Sequence, residues 1–283
     1  MLAQIYRSLS KHDWQILNSI FQRIWEYEYV PIEVVSSSAN IKLEKVDAIL
    51  RRLSDKGLVE NRKRDYYGTS LTFKGLTIYS LWRFVRKDKV SMLGKKIGEG
   101  KESLIYDVVS DKYGACAIKF HRVGYPSFKK VREKRDYGTL NYAVLSIRSA
   151  KREYEALRKL DGYVSVPKPY GWEGNAVLME LIDGKELFKV RLKNPEDVLD
   201  MIIEEIRKML ERGIIHGDLS QYNILVNPEG IWIIDFPQYI DLNEKNGKFK
   251  EILERDVKNI LNYFKKTYGI KRDIGLVLKG IKK

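Results

Sequence analysis

The chain has 283 residues, of which 44% are hydrophobic, so it is long enough for one large or two modest domains and its composition excludes a disordered protein. Its formal net charge of +14 predicts a polyanionic partner, such as nucleic acid, a nucleotide or an anionic lipid surface. The single cysteine, Cys116, excludes a disulfide framework and a thiolate zinc site. Since there is neither a signal-peptide pattern nor a membrane-length apolar run, we expect a cytoplasmic protein with no membrane partner.

The first 89 residues show the pattern of three helices followed by a β-hairpin. Apolar residues recur at helical spacing in three stretches, which predicts helices over 14–25, 31–35 and 41–53. Two short strands, 58–61 and 70–73, flank a basic and aromatic tip, and a further helix follows them. This order resembles a winged helix-turn-helix, in which the third helix enters a nucleic-acid groove and the hairpin, or wing, touches the backbone.

Basic side chains concentrate on the third helix and the wing of this segment. Because they lie where such a domain meets phosphates, we predict that they bind nucleic acid without reading its sequence. The predicted contacts are Lys42, Lys45, Arg51 and Arg52 on the helix and Arg62, Lys63 and Arg64 on the wing. Winged helices also mediate protein contacts, and that alternative stays open. Residues 86–89 are the predicted linker, which gives a winged-helix domain over 1–89 and a second domain over 90–283.

Residues 90 to 182 have the features of a nucleotide-binding lobe. A short turn contains Gly98 and Gly100, whose backbone N–H groups can approach phosphates, followed by Lys101, Glu102 and Ser103. The strand over 115–120 places the small Ala117 on the same face as Lys119, which leaves room for a flat ring and directs an ammonium group at phosphates. Taken singly, the turn also fits a plain hairpin and the lysine a surface strand.

An amphipathic helix over 149–160 and an apolar strand over 176–182 complete this lobe. Glu153 on the helix is the predicted partner of Lys119, with Glu155 as the competing candidate. The end of the strand, at Met179, Glu180 and Ile182, is where we expect backbone contacts to adenine. The basic and aromatic stretch over 122–148 fits either an RNA- or nucleotide-covering segment or a solvated insert.

The last ninety residues contain the residues with the most specific chemistry. A helix begins at Asn194-Pro195, where Asn194 is the predicted N-cap, and ends before Gly213. The loop His216–Asn223 follows, and a hairpin over 224–234 then leads to Asp235. One carboxylate, Asp218, can position a hydroxyl or a water, while Asn223 and Asp235 supply hard oxygen ligands for Mg²⁺ bound to nucleotide phosphates. Two helices, the first over 249–268, end the chain.

These motifs together resemble the RIO family of atypical serine/threonine protein kinases, and the winged helix resembles its RIO kinase 2 subfamily. The resemblance implies an α+β fold, with a winged helix-turn-helix before a truncated bilobal kinase-like domain whose lobes divide near residue 182. It implies ATP and Mg²⁺ (or Mn²⁺) as cofactors and a role in small ribosomal subunit maturation, with the precursor particle and its rRNA as partners.

The resemblance also implies roles for individual residues. Lys119, paired with Glu153, would contact the α and β phosphates, and Ser103 would contact phosphate in the turn. Asp218 would be the catalytic aspartate and His216 a structural residue. Asn223 and Asp235 would hold the metal ion, and Asp235 would also accept a phosphoryl group during ATP hydrolysis.

Three features depart from ordinary protein kinases. Gly217 stands in place of the arginine that anchors an activation-loop phosphate, and Ser220 in place of a lysine on the γ-phosphate. The 48 residues after Asp235 are too few for an activation segment with a full peptide-docking subdomain, so a generic peptide kinase is not expected. Two alternatives stay open, a small-molecule phosphotransferase of the aminoglycoside-kinase type and a non-catalytic nucleic-acid-binding regulator. Autophosphorylation is expected to fall on Ser127.

Overall fold

The computed structural model describes residues 2–124, 142–244 and 249–281, and its mixed helix and sheet content confirms the predicted α+β class. Part of the 122–148 stretch, including Ser127, lies outside the described residues. The chain divides into two compact units, the first formed by Met1–Lys151 with Gly171–Leu178 and the second by Arg152–Tyr170 with Met179–Lys283.

The N-terminal part of the first unit has the element order of a winged helix. Its helices are α1 (Leu2–Arg7), α2 (Lys11–Arg23), α3 (Ile32–Ala39), α4 (Leu43–Asp55) and α5 (Phe73–Arg86), and its strands are β1 (Val30–Pro31), β2 (Val59–Lys63) and β3 (Tyr67–Leu71). The strands form a sheet in the order β1-β3-β2. Helix α4 buries one apolar stripe, made of Val46, Ile49, Leu50 and Leu53, and exposes its basic residues. This arrangement leaves the predicted nucleic-acid face of α4 open to solvent.

One expectation for this segment was wrong. Phe73, predicted to end a strand, begins helix α5, because the Thr72 hydroxyl accepts the Gly75 N–H and so caps the helix. Ion pairs lie at and just before the predicted linker over residues 86–89. Arg83 at the end of α5 and Lys87 just after it both form ion pairs with Glu173. The residues around position 86 are therefore fixed to the strand that carries Glu173.

Helix α6 (Tyr142–Leu160) begins seven residues earlier than predicted. Its added first turns are buried, since Ala143, Val144 and Ile147 belong to the same hydrophobic core as the winged helix. The hydroxyl of Tyr142 also donates to the Leu71 carbonyl. The start of α6 therefore completes the winged-helix core.

A buried polar network also joins α5 to a strand of the next sheet. The Ser80 hydroxyl on α5 donates to Asn175 Oδ1 at 2.8 Å, and Asn175 Nδ2 donates to the His121 carbonyl at 2.6 Å. Ser149 on α6 contacts His121 Nδ1 at 3.1 Å. A buried network with its members bonded in this way favours one fixed arrangement of the elements that it joins.

The nucleotide-lobe strands form a five-stranded sheet in the order β4-β5-β6-β8-β7. They are β4 (Met92–Glu99), β5 (Ser103–Ser110), β6 (Gly114–His121), β7 (Pro169–Glu173) and β8 (Ala176–Glu180). The turn predicted to approach phosphates joins β4 to β5, and Lys119 lies on β6 opposite Ile105.

After residue 179, the described residues of the second unit form three α-helices and two small sheets. The helices are α7 (Pro195–Glu211), α8 (Phe249–Tyr268) and α9 (Ile274–Ile281), with a 3₁₀ turn at Leu187–Lys189. The strands are β9 (Lys185–Glu186), β10 (Ile214–Ile215), β11 (Ile224–Asn227), β12 (Gly230–Ile233) and β13 (Ile240–Asp241). They pair as β12-β11-β9 and β10-β13. Asn194 precedes α7 as predicted, but its side chain makes no capping hydrogen bond. Among the described helices, none has the length and apolarity needed to cross a membrane.

Candidate active site

The loop His216–Asn223 lies between strands β10 and β11 of the second unit and is fixed at its start by a buried histidine. Since a carbonyl only accepts, His216 Nε2 carries the proton and donates it to the Ile234 carbonyl at 3.0 Å. Nδ1 then accepts the Asp218 N–H at 3.3 Å. Burial lowers the pKa of His216, although the Ile234 bond and nearby carboxylates oppose that shift. The imidazole is therefore held neutral, as a support for the loop.

Helix α8 binds the backbone of the loop with three polar side chains that were not predicted. Asp256 accepts the Gly217 N–H at 2.8 Å, Arg255 donates to the Gly217 carbonyl, and Asn259 donates to the Leu219 carbonyl at 3.2 Å. Asp256 also accepts a backbone hydrogen bond from Leu219. The two neighbours of Asp218 are thus both tied to one buried carboxylate.

A sequence signal for Asp256 was available. Asp256 interrupts the apolar stripe of α8, where its companions Leu253, Val257 and Ile260 are all buried. Burial raises the pKa of its carboxyl, and the N–H groups of Gly217 and Leu219 act in the opposite direction. A carboxylate in an apolar stripe is costly unless it is hydrogen-bonded, so its presence there indicates a specific buried partner.

Gly217 is required by its backbone conformation and by a close neighbour. Its φ of +85° is unfavourable for any residue with a Cβ. A Cβ there would also lie under 3.0 Å from the Gln238 carbonyl oxygen. The arginine that ordinary protein kinases place here has no room, because the chain after Asp235 passes against this position.

The structure brings Asp218, Asn223 and Asp235 together through short hydrogen bonds. Asn223 Nδ2 donates to the Asp218 carbonyl at 2.8 Å, which turns the amide oxygen away from that carbonyl. The Ile234 N–H, one residue before Asp235, donates to the Asn223 carbonyl at 3.0 Å. The hairpin of β11 and β12 therefore brings the backbones of residues 223 and 234 into contact, and the binding of a metal ion by Asn223 and Asp235 stays a prediction.

Asp235 has a strained backbone and Glu153 lies beside it. Its φ of +74° is uncommon for a residue other than glycine, and such strain is often found at functional sites. The next residue, Phe236, donates its N–H to Glu153 Oε1 at 3.4 Å, and Glu153 is buried. The helix carboxylate Glu153 is therefore in contact with the segment that carries Asp235.

The donors around Asp235 fit magnesium better than a transition metal. Within residues 2–124, 142–244 and 249–281, no group of three or more His, Cys, Asp or Glu side chains is placed to hold a metal ion. Asn223 and Asp235 instead offer one amide and one carboxylate oxygen. Mg²⁺ in nucleotide sites keeps several waters and phosphate oxygens and needs only one or two protein ligands, so this donor set is sufficient.

The first unit carries the predicted phosphate turn and Lys119. Gly100 N–H donates to the Ser103 carbonyl at 2.9 Å, which closes the turn, and Lys101 and Glu102 at its tip are exposed. Arg122 supports the turn from below through bonds of 2.8 Å to the Gly100 carbonyl and to Glu99, and it was not predicted to do so. Gly98 lies on the strand opposite Ile105, next to the turn.

Lys119 and Ala117 lie two residues apart on β6, whose residues 116–121 are all buried. Each is less than a tenth exposed, so Lys119 is not an ordinary surface lysine. A buried ammonium is stable only near an anion, which suits a role in binding phosphate. Lys119 and Glu153 belong to different compact units, and their pairing stays a prediction.

The predicted adenine-binding segment lies where β8 ends. Met179 is buried, and the Glu180 N–H already donates to the Lys168 carbonyl at 2.8 Å. The Ile182 carbonyl accepts the Gly184 N–H at 3.0 Å. The Glu180 N–H and the Ile182 carbonyl are therefore already bonded within the chain, and contacts of this segment to adenine stay a prediction.

The predicted nucleic-acid residues lie on the exposed side of α4 and on the wing, but several are already paired. Arg51 bonds Asp47 at 2.7 Å, Arg52 bonds the buried Asp13 at 2.5 Å, and Lys45 contacts His12 at 3.3 Å. Arg62 lies over the Tyr29 ring. Lys42, Lys63 and Arg64 are the exposed cations of this group that best fit a phosphate contact.

Comparison with known proteins identifies the family. The RIO domain model matches residues 104–275, and the model for the Rio2 N-terminal domain matches residues 6–87. The RIO-type serine/threonine-protein kinase Rio2 of Methanocaldococcus jannaschii is 33% identical over 87% of this chain and 94% of its own length. The serine/threonine-protein kinase rio2 of Schizosaccharomyces pombe is 30% identical over 95% of this chain and 80% of its own.

Solved structures agree with these matches. The Rio2 kinase of Chaetomium thermophilum, determined as an ADP/Mg²⁺-phosphoaspartate complex, superposes with a TM-score of 0.85 at 26% identity, over 99% of this chain and 89% of that one. The chain spans about half of the rio2 kinase of Dictyostelium discoideum, at 51% of its length.

The chain belongs to the RIO family of atypical serine/threonine protein kinases, because the RIO domain model covers more than half of it. The N-terminal match places it in the Rio2 type. The predicted fold, a winged helix before a kinase-like RIO domain, is confirmed. Membership of a protein-kinase family weighs against the two alternatives, an aminoglycoside-type phosphotransferase and a non-catalytic regulator.

Gly217→Ala tests whether the loop depends on the close approach of Gln238. We expect it to lower the free energy of unfolding by more than the strain of φ +85° alone, and to abolish ATP turnover, because the loop must shift. The matched control is Gly162→Ala, with φ +78° and open space around the site, which should cost only about 1–2 kcal/mol. Thermal unfolding and ATP hydrolysis are measured for both. Equal effects of the two variants would contradict the prediction.

Proposed function

We propose that this kinase binds ATP with Mg²⁺ (or Mn²⁺) and turns the nucleotide over at the His216–Asn223 loop. The single observation that supports this most is the attachment of Gly217 and Leu219 to Asp256, because it fixes the direction in which Asp218 leaves the loop. Catalysis of phosphoryl transfer consists mainly of positioning the reactants and stabilising charge. A loop with a fixed backbone provides the positioning.

In this proposal each half of the nucleotide site has a separate task. Asp218 accepts the proton of the attacking hydroxyl or water, and Asn223 and Asp235 hold the metal ion. Lys119 binds the α and β phosphates and Glu153 orients Lys119. The turn supplies phosphate contacts from Gly98, Gly100, Lys101, Glu102 and Ser103. Bound Mg²⁺ neutralises negative charge on the phosphates.

We also propose that Asp235 accepts the phosphoryl group. An Asp235 carboxylate oxygen forms a bond to the γ phosphorus, the bond from that phosphorus to the β–γ bridging oxygen breaks, and ADP leaves. Water then attacks the acyl phosphate, and phosphate and the free carboxylate result. The strained backbone of Asp235 supports this proposal, as does the phosphoaspartate in the Chaetomium thermophilum Rio2 kinase.

The proposed biological setting is small ribosomal subunit maturation, with the precursor particle and its rRNA as partners, as the family resemblance implies. The net charge of +14 and the exposed cations Lys42, Lys63 and Arg64 support a contact with a polyanion. The winged helix is the surface that we assign to this contact.

Asp218→Asn and Lys119→Met test the ATP-turnover proposal. Each should lower the rate of ATP hydrolysis at least about 100-fold. Asp218→Asn removes the proton acceptor. Lys119→Met removes a buried phosphate-binding charge and leaves a side chain of similar size. Lys112→Met, on an exposed turn, is the matched control and should keep full activity. Rates are measured with and without small-subunit particles, and thermal unfolding confirms that each variant folds. Undiminished hydrolysis in both site variants refutes the proposal.

The phosphoaspartate proposal is tested with γ-³²P-labelled ATP. Label bound to the protein should be released by hydroxylamine, which cleaves an acyl phosphate and leaves a phosphoserine ester intact. Asp235→Asn should remove the hydroxylamine-sensitive label, whereas Ser127→Ala should not. Label that resists hydroxylamine and disappears with Ser127→Ala would instead show autophosphorylation of that serine.

The winged-helix contact is tested with Lys63→Glu/Arg64→Glu. This pair avoids Arg51 and Arg52, whose reversal would place a carboxylate beside Asp47 and the buried Asp13. We expect weaker binding to small-subunit particles and a decrease of about 2 in the slope of log affinity against log salt concentration. Arg7→Glu/Lys11→Glu carries the same charge change on other exposed cations of the domain and is the control. Binding that changes equally in both pairs would show only a net-charge effect.

A further inference from the structure

Two large aromatic side chains are exposed next to the catalytic loop and contact each other. Phe188 on the 3₁₀ turn is 43% exposed, and Tyr222, the residue before Asn223, is 57% exposed. Their ring centroids are 4.7 Å apart. Lys189 places its ammonium 5.2 Å from the centre of the Phe188 ring. Exposed aromatic pairs have a hydrophobic cost, so their presence on a surface indicates a partner.

The residues around this pair are strongly basic. Between 185 and 193 there are four cations and one carboxylate, Glu186, which forms an ion pair with Lys189 at 2.7 Å. All four cations are exposed. We call Lys185, Phe188, Lys189, Arg191, Lys193 and Tyr222 the aromatic–basic surface. Its charge is complementary to a chain of phosphates.

The backbone that carries this surface is held in place. Two tyrosines of α8 bind it, since Tyr263 donates to the Leu187 carbonyl at 3.2 Å and Tyr268 accepts the Leu192 N–H at 3.1 Å. Strand β9 pairs with β11, directly after Asn223. The aromatic rings therefore sit on an ordered support, and their stacking faces are available at little cost in conformational entropy.

We propose that the aromatic–basic surface binds single-stranded RNA, with an unpaired base stacked on Phe188 or on Tyr222, whose ring planes are 57° apart, and the backbone phosphates on the neighbouring cations. Stacking on aromatic rings combined with a basic track is the way proteins hold single strands without reading sequence. A protein partner is less well matched, because the exposed apolar side chains here are aromatic rings flanked by cations. The inference goes beyond the winged-helix contact and does not depend on it.

The consequence for the active site lies in the position of Tyr222. It is joined directly to Asn223, whose side chain is bonded to the Asp218 carbonyl. A base stacked on Tyr222 therefore restrains the loop from which both residues project. RNA bound at this surface is placed to act on nucleotide turnover, whereas RNA bound only at the wing is not attached to this loop.

The test uses the full chain carrying Lys63→Glu/Arg64→Glu, so that the wing does not mask the second surface. Binding of fluorescein-labelled oligo(U) of about 10 nucleotides is followed by fluorescence anisotropy. We expect residual, salt-dependent binding in this background, and Phe188→Ala should weaken it about tenfold. Phe188→Leu should weaken it as much, because leucine restores apolar area but has no ring face. Tyr163→Ala is the matched control, since Tyr163 is 61% exposed in the same unit with Arg212 3.0 Å from its ring centre, and it should bind normally.

The contact is located independently by cross-linking oligonucleotides that contain 5-iodouracil. The expected cross-linked peptides contain Phe188 or Tyr222. Full affinity in Phe188→Leu would overturn the inference, because it would show that oligo(U) binding does not use the face of the Phe188 ring. Loss of all oligo(U) binding in the wing background, or equal effects of Phe188→Ala and Tyr163→Ala, would also overturn it. None of these outcomes bears on whether the wing binds small-subunit particles, which is measured separately.

Discussion

The Asp256 carboxylate is the interaction on which the site depends. The loop His216–Asn223 has no regular secondary structure, so its backbone polar groups must find partners elsewhere. Asp256 accepts the N–H groups of Gly217 and Leu219, and desolvation, which raises the pKa of its carboxyl, is the cost of that arrangement. Arg255 and Asn259 bind the carbonyls of the same two residues. Both neighbours of Asp218 are therefore bonded to one helix. The position of Asp218 depends on α8 as much as on the loop.

The chain after Asp235 is fixed by the same kind of interaction, which explains one departure from ordinary kinases. Arg152 donates to the Tyr239 carbonyl, Lys159 forms an ion pair with Asp241, and β13 pairs with β10. This fixed path brings the Gln238 carbonyl against Gly217. The absence of an arginine at position 217 is thus a steric consequence of this path. The same close contact therefore restricts the residue type at position 217 and the backbone position of Gln238.

Sequence patterns were sufficient to predict those parts of the structure that local residue spacing determines. The winged-helix order, the β11–β12 hairpin and the glycine turn follow from apolar period and turn residues, and the spacing of Asn223 and Asp235 follows from the hairpin. Long-range contacts were not accessible in this way. The first turns of α6 were missed because Ala143 and Ile147 are buried by the winged helix, and the pairing of Arg52 with Asp13 joins residues 39 apart. Asp256 is an exception among the long-range contacts, since its place in the apolar stripe of α8 is a local pattern that indicates a buried partner.

The way in which the winged helix is attached decides how a bound partner can affect the nucleotide site. A domain on a flexible linker would only raise the local concentration of the kinase near its partner. Here α5 is bonded to Glu173 through Arg83 and Lys87, and Ser80 reaches His121 through Asn175. His121 lies two residues after Lys119 on the same strand. Buried networks with bonded polar groups favour one fixed arrangement of the elements that they join, so α5 and the strand that carries Lys119 are held in a defined relation. The winged helix is therefore joined to the strand that carries Lys119 by ion pairs and buried hydrogen bonds, and not by a flexible linker.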